Sequence, residues 1–131
     1  MCTIDEYMDD YKPSRVLNLR NQDIHDLNIY PMIHPRISMV LRVHLGKNNI
    51  GDQGARILSE CLYTNNIITH LTLESNNIGN SGCCAISEWI STNSSLRHLG
   101  LGGNRIGDYG CSDLSKSISK KNVLQILVLC F

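Results

Sequence analysis

The chain has 131 residues, 42% of them apolar, and its 12 basic and 12 acidic side chains cancel at neutral pH. That length supports one domain with a modest core. The charge balance excludes an overall field drawing it to nucleic acid or membrane, and no apolar run approaches the roughly 18–20 residues of a membrane helix.

The opening residues, MCTIDEYMDD, are acidic and lack the basic start and apolar middle of a signal peptide, so nothing in them suggests secretion. Ile4, Tyr7, Met8 and Tyr11 recur at helical spacing, and residues 1–12 are expected to be a short capping helix or a disordered segment. Residues 13–131 read as a repeating array. Its first unit, 13–39, is degenerate: Val16-Leu17-Asn18-Leu19-Arg20 alternates as a strand, followed by Gln22 and Ile24, while Pro31 and Pro35 argue against a regular helix between Asp26 and Ser38. Three full units follow at a fixed offset of 28 residues, 40–67, 68–95 and 96–123. They open VLRVHLGKNNIGDQG, ITHLTLESNNIGNSG and LRHLGLGGNRIGDYG, and a truncated fourth copy, LQILVLCF, occupies 124–131. Such a period marks a stack of like units rather than a globule with one closed core.

In the unit at Ile68, Leu71 and Leu73 point one way and His70, Thr72 and Glu74 the other, as in a strand. Asn76 shares its slot with Asn48 and Asn104; burying an amide there requires bonds to the backbone of its own turn and of its neighbour's. Ile78 returns the chain to the core, and Gly79 is expected to permit the bend. Helical spacing then places Cys83, Ile86, Trp89 and Ile90 on one face, with Ser87, Glu88 and Ser91 opposite. Asn80, with Asp52 and Asp108 in the sister units, stands where an N-cap is expected. Thr92-Asn93-Ser94-Ser95 breaks the helix. Each unit is strand, turn, helix, turn, which implies parallel strands on an inner wall and helices outside.

Cys83 and Cys111 hold one slot in successive units, the slot of Ala55, and Cys61 shares a helix face with Leu58 and Leu62. No Cys-x-x-Cys pair or Cys/His zinc spacing occurs. Reduced, structural thiols in a cytoplasmic protein are the expectation, with neither a cofactor nor a metal.

The string L-x-x-L-x-L-x-x-N-x-I-G-x-x-G is read at Ile68 and Leu96, and with Val40 and Val43 replacing two leucines in the first copy. It resembles the leucine-rich repeat. The unit length and helical half are similar to the ribonuclease-inhibitor type, found in ribonuclease inhibitors, NOD-like receptors and the GTPase-activating protein for Ran. The resemblance covers about residues 40–131 and implies an α/β fold: a right-handed β-α solenoid arching as a horseshoe, with a parallel inner sheet and helices on the convex side. The apolar strand Leu127-Val128-Leu129-Cys130-Phe131 needs cover, so the chain is expected to be a fragment of a longer array or to take another chain there, self-association included.

In that family the strand residues facing away from the core carry most binding. The resemblance implies a partner-binding set of Arg20, Arg42, His44, Lys47, His70, Thr72, Glu74, His98, Gly100, Gly102 and Phe131. Arg20, Arg42 and Lys47 outnumber Glu74, so a protein partner with an acidic patch would be steered there; ordinary solvated charges are the alternative. Gly100, Gly102 and Gly103 are expected to leave a hollow beside Val128 and Phe131 that anchors a partner's large side chain, or merely to relieve crowding. His70 and His98 share a slot in adjacent strands, about 5 Å apart. His44 lies about 8 Å off diagonally, and nothing completes a metal site. Two protonated imidazoles side by side would repel.

No phosphate loop, nucleophile elbow or paired acid motif is present, and Gly102-Gly103 belongs to a strand slot. The reading is a protein-interaction module without enzymatic chemistry, serving sensing, scaffolding or inhibition. Two alternatives stand beside it: a small-GTPase regulator of the activating type, as the Ran activator's repeats are, and a truncated remnant without a selected partner.

Overall fold

The structure, a computed structural model, describes residues 15–35, 37–120 and 125–129. The expected capping segment 1–12 and Phe131 lie outside the described residues. Each alternating segment forms a three-residue strand: β1 (Val16–Asn18), β2 (Arg42–His44), β3 (His70–Thr72), β4 (His98–Gly100) and β5 (Ile126–Val128). They pair in parallel and in chain order, in a register that sets equal repeat positions side by side: Leu17, Val43, Leu71, Leu99 and Leu127 make one row. Pairing runs on past the strands, with the Leu45 N–H donating to Thr72 O at 2.9 Å and the Leu73 N–H to Gly100 O at 2.7 Å.

Parallel neighbours require a crossover. Here each of the four is helical: α1 (Ile29–Ile33), α2 (Gly51–Leu62), α3 (Asn80–Thr92) and α4 (Asp108–Lys120), with a 3₁₀ turn at Ile37–Met39 after α1. The product is a β-α solenoid, strands on one wall and helices on the other. The degenerate unit is more helical than its prolines suggest. Pro31 falls in the first turn of α1, where a missing N–H leaves no helical bond unmade, and the helix ends before Pro35.

The core is a slab between the walls. Leu17, Leu19, Val43, Leu45, Leu71, Leu73, Leu99 and Leu101 enter it from the strands, and Ala55, Leu58, Leu62, Cys83, Ile86, Trp89 and Leu114 from the helices. Cys83 does fill the slot of Ala55. Trp89 donates its Nε1–H to Leu62 O at 3.0 Å, tying the largest core side chain to the end of the preceding helix. Ser87, expected on the solvent face, is buried; its hydroxyl donates to Cys83 O at 2.8 Å, which makes the burial tolerable.

Two asparagine ladders close the turns. The Asn76 amide donates to Leu45 O and Leu73 O at 2.9 and 3.0 Å and accepts from the Ile50 N–H at 3.3 Å. Asn104 accepts from the N–H groups of Asn76 and Ile78, and Asn48 from those of Gln22 and Ile24. The second ladder lies at the other end of the helices: Asn65 donates to Ile37 O at 3.0 Å, and Asn93 to Asn65 O at 2.8 Å. Asn93 thus does more than break a helix.

The helix starts differ from expectation. Neither Asp52 nor Asn80 caps its own helix. Asp52 Oδ1 accepts from the N–H groups of Gly79 and Gly82, at 2.7 and 2.8 Å, so it caps α3 in the following unit. Asn80 Oδ1 does the same for α4 through Gly107 and Gly110. Gly79 is extended, with φ −102°, so it serves no left-handed bend; a Cβ there would press on the Asp52 carboxylate at 3.3 Å, and glycine leaves the cap room.

Candidate partner-binding face

Strand alternation leaves a second set of side chains on the concave wall. The register stacks them in rows: Val16, Arg42, His70 and His98 in one, Asn18, His44, Thr72, Gly100 and Val128 in the next. The turn after each strand passes through left-handed backbone at one slot, with φ +56° at Lys47, +55° at Ser75 and +68° at Gly103. Lys47 and Gly103 therefore belong to these turns at the rim of the wall.

Arg20 and Glu74 form an ion pair through Nη1 and Oε1, reaching from the first unit to the third. They cross directly over Gly46, where a Cβ would collide with both groups; the glycine is what lets the pair lie flat. With side chains 43% and 29% exposed, such a pair contributes little to stability. Its effect on charge is larger. Glu74 is matched by Arg20, and Arg42 and Lys47 stay exposed beside it.

His70 and His98 stack with ring centroids 5.4 Å apart and planes inclined by 16°, the separation expected of one slot in adjacent strands. The Thr69 hydroxyl lies 3.1 Å from Leu41 O and 2.9 Å from His70 Nδ1, so it holds the ring in place from the strand side. Burial lowers the pKa of His70, and Arg42, His98 and His44 lower it further. His44, 3.0 Å from the Thr72 hydroxyl, is lowered chiefly by burial, with Glu74 opposing and Arg42, Arg20 and His98 reinforcing. Among the described residues no group of three or more His, Cys, Asp or Glu side chains converges on a metal position.

The structure brings together Arg20, Arg42, His44, His70, Thr72, Glu74 and His98. It does not open the expected hollow at Gly100, which is buried, with Thr72 Cγ2 3.5 Å from where its Cβ would stand. Gly102 is half-buried in the turn after β4. Val128 is 39% exposed on β5. At that end of the sheet a cleft of about 330 Å³ is lined by Cys111, Leu114, Ile118, Leu127 and Leu129. On the convex wall, sequence reasoning missed a groove of about 720 Å³ between α2 and α3, over Trp89 and flanked by Tyr63, Glu60 and Glu88. The 28-residue offset of the two glutamates was its only signal. No helix among the described residues is long and apolar enough to cross a membrane.

A family model described as Leucine Rich repeat matches residues 38–59, 64–87 and 92–115. Among solved structures, one described as Leiomodin-1 Actin-Binding Site 2 (ABS2) is similar at 22% identity with a TM-score of 0.78, over 93% of this chain and 73% of that one. The tropomodulin C-terminal domain of Caenorhabditis elegans is similar at 18% identity with a TM-score of 0.79, over 98% and 80%. At these identities the likeness concerns the fold. No curated protein matches in sequence.

Proposed function

The chain belongs to the leucine-rich-repeat family, and from that premise we propose that it is a non-enzymatic protein-interaction module that grips a partner protein with its concave face. One observation carries this reading. The slots that build the fold repeat from unit to unit, Leu or Val inward and Asn in the turn, whereas the concave slots change: Arg42 gives way to His70 and His98 in one row, and His44, Thr72 and Gly100 follow one another in the next. A wall that varies where packing sets no demand, on a backbone that is otherwise regular, suits a specific macromolecular surface.

The partner presents an acidic patch, because Arg42 and Lys47 keep their charge while Glu74 is matched by Arg20. The leiomodin-1 domain is by its description an actin-binding site, and the shared architecture puts actin first among partners to assay. The role is scaffolding, sensing or inhibition in the cytoplasm, where the thiols of Cys61, Cys83, Cys84 and Cys111 stay reduced. The cleft between α4 and β5 is a place for self-association, which concentration-dependent light scattering measures.

The test compares affinity purification, and co-sedimentation with actin, for the wild type and for a variant carrying Arg42→Ala, His70→Ala and Glu74→Ala. Loss of partners from the variant is expected. Retention of every partner would refute a concave binding face.

A further inference from the structure

Granted that the concave wall is a partner-binding face, its side chains also select the chemistry of the partner. We propose that the row Arg42–His70–His98 is a proton-gated clamp for the carboxylates of an extended acidic segment of a partner protein, held more tightly as pH falls.

The row is straight because the register makes it so, with Arg42 beside His70 and His70 beside His98. Adjacent strands lie about 4.8 Å apart, so the row spans about 10 Å. An extended segment presents every second side chain on one face, about 7 Å apart. Two carboxylates in a Glu-x-Glu spacing therefore fit within the row.

The groups around the clamp set its response to protons. β1 and its turn bring Arg20, already matched by Glu74. β2 brings Arg42 and His44; β3 is followed by Glu74; Arg97 precedes His98 on β4; the described residues of β5 carry no titratable side chain. All but Glu74 are positive or become so on protonation. An unoccupied wall thus resists a proton on His70, in keeping with the lowered pKa given by burial and by Arg42, His98 and His44. A carboxylate over the stacked rings reverses the balance, favouring imidazolium. Proton and anion then assist each other equally, because linkage is reciprocal. With two rings in the clamp, affinity changes by at most about a hundredfold per pH unit.

The experiment uses the full chain and a fluorescein-labelled decaglutamate peptide, followed by fluorescence anisotropy at pH 7.5, 6.5 and 5.5 and constant ionic strength. Glutamate, with an ordinary pKa of about 4.3, stays mostly ionised over this range. Kd is expected to fall at least about tenfold from pH 7.5 to 5.5 by the same linkage. His70→Gln/His98→Gln flattens that dependence, while His25→Gln/His34→Gln, removing two imidazoles outside the row, keeps the full gain. Arg42→Gln weakens binding at every pH. In the free and peptide-saturated protein, histidine ¹H–¹³C resonances are expected to show the His70 midpoint rising on binding.

Affinity that depends on Arg42 but not on pH, a gain that survives His70→Gln/His98→Gln, or a His70 midpoint unmoved by peptide would each overturn the clamp and leave the binding face standing. Binding indifferent to pH and to all three variants would overturn both.

Discussion

Replacing Asn76 by alanine isolates what the turn ladder contributes. The side chain is fully buried; its amide donates to Leu45 O, Leu73 O and, more weakly at 3.2 Å, Glu74 O, and accepts one bond. Its carbonyl partners are not orphaned by the change: Leu45 O keeps the Asn48 amide at 2.8 Å, Leu73 O the Asn104 amide at 2.9 Å, and Glu74 O the Lys47 N–H at 2.9 Å. Only the Ile50 N–H loses its side-chain acceptor. An orphaned buried donor costs about 1–3 kcal/mol and each lost shared bond about 0.5–1 kcal/mol, so the expected loss is about 3 kcal/mol. That is a large share of the roughly 5–15 kcal/mol by which a domain of this kind is stable. Urea unfolding reports it through the fluorescence of Trp89, the single tryptophan of the chain. The midpoint should fall with the slope unchanged. The control is Asn77→Gly one residue on, at an exposed site with φ +58° that glycine accepts, expected to change stability by less than about 1 kcal/mol. A loss below about 1 kcal/mol for Asn76→Ala, or equal losses for both, would refute the ladder argument.

Asp52→Ala removes a cap worth about 1 kcal/mol, and hydrogen exchange should quicken at Gly79 and Gly82 rather than in the first turn of α2; the opposite pattern would return the cap to its own helix. The folded-state pKa values of His44 and His70 lie below the ordinary 6.5. The unfolded chain therefore binds more protons as pH drops, and stability is full above about 6.5 and is lost as pH falls toward the folded values. The urea midpoint should decline over that window and flatten in His44→Gln/His70→Gln; a midpoint rising on acidification would contradict it. Burial pushes the Cys83 thiol up to about 11, so iodoacetamide at pH 8 should leave it unmodified until the protein unfolds, and labelling of the native chain at the rate of a free thiol would show the assignment wrong.

The period of 28 made the fold legible, because a unit that buries Leu71, Leu73 and Ile86 only against neighbours must stack, and stacking fixes strand order and register together. It also placed Asn76 and the His70–His98 pair correctly. What escaped was chemistry that crosses between units. Asp52 looks like a local N-cap in sequence, since the following helix lies 27 residues away and only the stacked backbone brings Gly79 to it. Asn93 looks like a helix breaker for the same reason. Gly100 looks open because a glycine has no side chain, yet a neighbouring strand carries Thr72 over it. The Arg20–Glu74 pair lies 54 residues apart, and only a glycine at position 46 hints that something passes above.

These cross-unit bonds bear on how the wall can bind. Arg20 reaches over one unit to the next but one, Asp52 holds the start of the following helix, and Asn104 returns to Leu73 O. No unit can shift by itself without breaking a bond that its neighbour needs. The concave side chains are thus carried on a backbone ordered before any partner arrives, which spares association the cost of ordering it. Affinity and selectivity must then come from what varies along the rows: Arg42 against His70 and His98, His44 against Thr72 and Gly100. On the proposed concave binding face, discrimination would then draw on charge and protonation as well as on shape.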